Sequence, residues 1–79
     1  MTIGVLEEMS EKGDVQAQSR LGLCYYRGEG VNQDYEKAVQ YFKQAADQND
    51  ARAQSNLGIC LMYGQGIEQN KEEAIKFLN

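Results

Sequence analysis

The sequence predicts an all-α fold of stacked antiparallel helix pairs, about five helices in total, and three observations carry that prediction. First, the chain repeats itself. Shifted by 36 positions, so that Ala17 meets Ala53, VQAQSRLGLCYYRGEGVNQDYEKAVQYFK overlays ARAQSNLGICLMYGQGIEQNKEEAIKFLN. Ala17, Gln18, Ser19, Leu21, Gly22, Cys24, Gly28, Gly30, Gln33, Glu36 and Ala38 meet identical residues, and Val31, Val39 and Tyr41 meet Ile67, Ile75 and Phe77. A period of this length marks a supersecondary unit that buries its apolar face by stacking on its neighbour. Second, the apolar residues inside each unit recur at spacings of three and four, the mark of one helical face. Third, acidic or amide residues stand where helices would begin, and glycines where they would end.

The elements follow in order. The same offset run backwards lays VLEEMSEKGD (5–14) on YFKQAADQND (41–50), so residues 1–14 read as the second helix of a preceding unit, ending before Gly13. Residues 15–50 form a complete unit. Asp14 caps its first helix and Gly28 supplies the left-handed residue that ends it; Asp34 caps its second, where Tyr35, Ala38, Val39, Phe42, Ala45 and Ala46 line one face. Residues 51–79 form a second unit, shorter at its C-terminal end, with Asp50, Gly64 and Asn70 in the same roles. Gly22 and Gly58 fall inside helices, where each costs about 1 kcal/mol relative to Ala. Their recurrence predicts a close helix approach, with Ala38 and Ala74 as the facing residues.

Composition excludes several functions. The 79 residues suffice for one small domain, and neither the 42% hydrophobic nor the 25% charged share points to disorder. With no His and only two Cys, an ordinary zinc site cannot be assembled, and neither Cys24 nor Cys60 has an imidazole to activate it. Both cysteines sit on the core stripes Ala17-Leu21-Cys24 and Ala53-Leu57-Cys60. They are expected to be small packing residues and free thiols, since neighbouring equivalent helices lie about 8–10 Å apart and a disulfide needs Cα atoms within about 7 Å. The pairs Gly28/Gly30 and Gly64/Gly66 lack the preceding strand and the Lys-Ser/Thr of a phosphate loop, and read as tight turns. Glu7, Glu8, Glu11, Glu72 and Glu73 read as solvated helix surface. No cofactor or metal is expected. A net charge of −4 argues against nucleic acid as a partner. No apolar run approaches the roughly 20 residues of a membrane span, and MTIGVLEEMSEKGD is unlike a signal peptide, so the expectation is a soluble, cytoplasmic chain.

Ala17, Leu21, Gly22, Tyr25, Gly28, Gly30, Val31, Asp34, Lys37, Ala38, Tyr41, Phe42, Ala45 and Ala46 form a pattern that resembles the Sel-1-like repeat, a relative of the tetratricopeptide repeat. The second unit departs from it at Leu61, Asn70 and Glu73, which stand where the pattern has Tyr, Asp and Lys. The resemblance implies an α-solenoid with a right-handed superhelix, its first helices lining a concave surface and its second helices forming the convex back. It also implies a non-catalytic adaptor that holds other proteins. Some secreted relatives are disulfide-rich and pair cysteines within one unit, whereas each unit here has one Cys. Clamp-type relatives grip a terminal carboxylate with Lys and Asn; here Ser19 and Leu23 occupy those places, and only Asn56 matches.

The site must therefore be read from these residues themselves. Gln16, Ser19, Arg20, Leu23, Tyr26 and Arg27 form a second stripe on the first helix of one unit; Arg52, Ser55, Asn56, Ile59, Met62 and Tyr63 do so in the next. All three arginines of the chain lie there, with no acidic residue and no Lys. Arg, Tyr and Met are enriched at interfaces. Two readings stay open: Arg20, Leu23, Tyr26, Arg27, Arg52, Asn56, Ile59, Met62 and Tyr63 line a groove for a peptide or helix carrying acidic and apolar residues, or their apolar members pack against the neighbouring unit. The apolar Ala74, Ile75, Phe77 and Leu78 further raise self-association through the C-terminal helix.

Overall fold

Helix starts are fixed by short polar side chains. Asp14, Asp34 and Asp50 each adopt an extended backbone and accept the N–H three residues on, from Ala17, Lys37 and Ala53 at 3.0–3.1 Å. Asn70 accepts the Glu73 N–H in the same way, and Thr2 that of Val5. Each such cap contributes about 1 kcal/mol. Gly28 and Gly64 end their helices in the left-handed region, at φ 73° and 65°.

The computed structural model describes residues 2–78, and the five helices among them are α1 (Ile3–Glu11), α2 (Val15–Arg27), α3 (Tyr35–Ala46), α4 (Ala51–Tyr63) and α5 (Lys71–Leu78). No strand occurs among the described residues. The helices α2 and α3 form one antiparallel pair, α4 and α5 the next; α1 packs on α2, and α3 on α4. The first helices α2 and α4 also touch, while α3 meets neither α1 nor α5. Consecutive helix pairs stacked in this way make the solenoid that the sequence predicts. No described helix is long and apolar enough to cross a membrane.

The turn between α4 and α5 closes on the first unit. Gly66, at φ 72°, lies so near the start of α3 that a Cβ would overlap the Tyr35 carbonyl. A further device closes the helix C-termini, whose last carbonyls lack intrahelical partners. The Gln18 amide donates to the Ser10 carbonyl at the end of α1, Gln33 to Tyr26 at the end of α2, Gln54 to Ala46 at the end of α3, and Gln69 to Met62 at the end of α4. The repeat displays these glutamines as matched pairs, yet nothing in the pattern alone assigns them this task.

The core runs continuously through both units, with Leu21, Phe42 and Cys60 the largest fully buried side chains. Gly22 faces the Phe42 ring, which a Cβ would overlap, and not Ala38 as the sequence suggests. Gly58 likewise meets Phe77 and Leu78, with a Cβ 2.9 Å from the Leu78 Cγ, and not Ala74.

Replacing Gly22 by Ala gains about 1 kcal/mol of helix propensity but drives a methyl into a packed ring at about 1–3 kcal/mol. We expect a net lowering of the denaturant midpoint for Gly22→Ala. Gly4→Ala in α1, where nothing lies within 4 Å of the new methyl, should raise or preserve it. Equal midpoints for the two variants would contradict the packing assigned to Gly22.

Candidate interaction surface

The stripe foreseen on the first helices divides in two. Arg20, Arg27 and Arg52 are exposed, as are Ser55 and Ile59, and Tyr63 is 69% exposed. Leu23, Tyr26 and Met62 are half-buried against the core, and Asn56 is half-buried too. Ser19 is buried although its counterpart Ser55 is open. Both packing and exposure thus occur on one stripe, and its exposed remainder is basic and apolar.

Tyr26 shows why. Its ring lies 5.1 Å from that of Tyr35 and 6.3 Å from that of Phe42, and its hydroxyl donates to Gln65 Oε1 at 2.6 Å. It therefore links α2 to α3 and to the turn of the second unit. Burial raises its pKa, against the opposing effect of the Gln65 hydrogen bond. Sequence spacing places Tyr26 on the second stripe but cannot show that its long side chain lies down across the unit boundary. A neighbouring turn, and not the helix period, decides that.

On the other flank of α2, Tyr25 stacks on Tyr41 with centroids 5.8 Å apart and planes 8° from parallel, and Lys37 Nζ sits 5.2 Å from the Tyr25 centroid. This cluster accounts for the departures of the second unit. Where Tyr25 becomes Leu61, the ring that received the cation is gone, and Lys37 becomes Glu73. Asp34 becomes Asn70, whose amide reaches Glu73 Oε2 at 3.4 Å while its oxygen still caps the helix. The substitutions form coupled sets.

Ion pairing leaves part of the positive charge free. Arg27 pairs with Glu29 at 3.5 Å and Lys12 with Glu8 at 3.6 Å, both in solvent, where such pairs contribute little. Among the described residues Arg20 and Arg52 have no acidic partner. No cluster of His, Cys, Asp or Glu among those residues has the arrangement of a metal site.

Cys24 and Cys60 are both free thiols, but their surroundings differ. Cys60 is fully buried, and desolvation pushes its thiol up to about 11. Cys24 is half-buried, contrary to its expected core position, since α2 has no preceding first helix beside it among the described residues. Burial and then Glu29 raise its pKa, while Arg20 and Arg27 pull the other way.

Two measurements follow. Tyr26→Phe should lower stability by about 1 kcal/mol through the lost hydrogen bond, and Tyr26→Ala by about 3 kcal/mol as aromatic packing disappears; an unchanged melting midpoint for Tyr26→Ala would show that the ring packs on nothing. Iodoacetamide should label Cys24 well before Cys60 at about pH 8, and labelling of Cys60 should accelerate as pH rises toward 11, because only the thiolate reacts. Equal labelling rates would contradict the burial difference.

Comparison with known proteins fits this geometry. The Sel1 repeat family model matches residues 15–50 and again 51–79. Protein sel-1 homolog 2 of mouse, and that of rat, are 49% identical to this chain over 39 residues, which is 48% of this chain but only 6% of theirs. Among solved structures, c5321, a protective antigen of uropathogenic Escherichia coli displaying an SLR fold, superposes with a TM-score of 0.89 at 40% identity, over 91% of this chain and 15% of the other. A Sel1 repeat protein of Oxalobacter formigenes gives 0.92 at 29% identity, over 95% and 57% of the two chains. Helicobacter pylori cysteine rich protein B gives 0.88 at 29%, over 95% and 56%. Sel1 repeats are generally non-catalytic modules of protein–protein interaction. With both of its units matched, the chain belongs to the Sel1 repeat family.

Proposed function

We propose that this chain is a non-catalytic interaction module that holds a peptide or helix of a partner protein along the inner face of α2 and α4. The observation that supports it is the exposed part of the stripe: Ile59 and Tyr63 lie open on α4, flanked by Arg52, with Arg20 and Arg27 on α2. In a chain of net charge −4 this basic and apolar strip stands out from the remaining surface. Arg offers a carboxylate two parallel hydrogen bonds, and Tyr and Ile cover apolar anchors. The partner segment thus combines Asp or Glu with apolar side chains. Leu23, Tyr26, Asn56 and Met62 form the floor of the groove and serve stability and binding together.

In this reading residues 1–14 are the second helix of a preceding unit, since Ile3 and Leu6 on α1 stand 36 positions before Val39 and Phe42 on α3, and α1 packs on α2 as α3 packs on α4. The same comparison supports a second reading. Val39 and Phe42 are 4% and 0% exposed, yet their counterparts Ile75 and Leu78 are 50% and 43% exposed, because no helix corresponding to α4 lies on α5 among the described residues. That face favours association with another helix, including one from a second copy.

The double variant Ile59→Ser, Tyr63→Ala should lose partner capture while its stability stays within about 0.5 kcal/mol, because exposed positions contribute little to folding. Capture by the unaltered chain should weaken as salt rises. Retained capture by the double variant would remove the groove from consideration. For the second reading, sedimentation should show a dimer that Ile75→Lys dissociates, and a monomer at high concentration would argue against it.

A further inference from the structure

Leu6, Met9, Asp14, Gln16, Ala17 and Arg20 enclose a notch of about 90 Å³ between α1 and the first turns of α2. Its floor is apolar and its rim polar. Gln16 and Arg20 belong to the exposed stripe, so the notch opens at the edge of the proposed groove. Its volume is on the order of that of one four-carbon side chain. The repeat does not reproduce this lining at the next junction: 36 positions on, Gln16 becomes Arg52, Arg20 becomes Asn56, and Leu6 and Met9 become Phe42 and Ala45.

The charges at the rim differ in their commitments. Asp14 is half-buried, and its Oδ1 accepts the Ala17 N–H at 3.0 Å, so the start of α2 is already capped and offers no anion site there. A second carboxylate near Asp14 is repelled. Arg20 is exposed and has no acidic partner among the described residues. An apolar cavity with one uncommitted guanidinium at its mouth is complementary to a branched aliphatic side chain with a carboxylate beside it.

We propose that this notch anchors one leucine-like side chain of the partner segment while Arg20 pairs with an adjacent carboxylate. The proposal rests on the groove reading and deepens it, by fixing where along the groove the segment is held and by what chemistry. Neither Arg52 nor Arg27 is its equivalent, since Arg27 is drawn to Glu29 and Arg52 occupies the repeat position of Gln16, not of Arg20.

The test titrates the isotope-labelled chain with N-acetyl-leucine and follows amide shifts. Saturable changes are expected at Leu6, Met9, Ala17 and Arg20. The affinity should fall about five-fold with the neutral N-acetyl-leucinamide, and by a similar factor in Arg20→Gln, as loss of one ion pair implies. Acetate alone should leave these amides unmoved. Equal affinity for the charged and neutral probes, indifference to Arg20→Gln, or no saturable shift at these residues overturns the proposal. If the probe fails while Ile59→Ser, Tyr63→Ala still abolishes partner capture, the notch assignment falls and the groove stands. If that double variant keeps its partner, both fall.

Discussion

The contact between Gly22 and the Phe42 ring sets the rest of the structure. A glycine inside a helix costs about 1 kcal/mol, whereas burying a phenylalanine side chain contributes roughly 1.5–3 kcal/mol, so the exchange favours the close approach. Phe42 is completely buried as a result, and it in turn supports Tyr26 from beneath. Gly58 does the same for Phe77 and Leu78 in the second unit. With the two helices of each unit drawn together in this way, the first helices α2 and α4 stack side by side.

Closure at the helix ends holds that arrangement in register. Four glutamine amides satisfy carbonyls at the ends of α1 to α4, two from the turn that follows the helix and two from the first helix of the next unit. Because Gln18 and Gln54 reach back across a unit boundary, they couple folding of each unit to its predecessor. Tyr26 with Gln65 and Gly66 against Tyr35 bind the boundary in the other direction. The floor of the proposed groove is therefore pinned by these contacts where Tyr26 lies, and Tyr63 stays exposed beside it. A stiff floor with a few open anchors reduces the ordering that binding requires.

Much of this is legible in the sequence because the chain is its own comparison. Paired positions at one offset reveal the helix starts, the glycine stops, the apolar faces and the two units without any partner sequence. What escapes is whatever depends on a neighbour's reach. Ala38 looks like the natural partner of Gly22 by size, yet the Phe42 ring arrives from one turn further along. Tyr26 and Met62 share a stripe with Tyr63, but only Tyr63 is left open, since helical spacing gives a direction and not a depth. Cys24 and Cys60 match each other in sequence and differ in burial because their flanking helices differ. The notch beside Arg20 is likewise invisible, being made by α1 and α2 together.

The central claim is that the inner face of α2 and α4, and not the outer face of α5, meets the partner. Photo-crosslinking in the source cell tests it most directly, with p-benzoylphenylalanine placed in turn at the exposed Tyr63 and Ile75 positions. The account predicts that irradiation joins position 63 to a different protein and that added salt reduces the yield. Crosslinks confined to position 75, joining one copy of this chain to another, would contradict it.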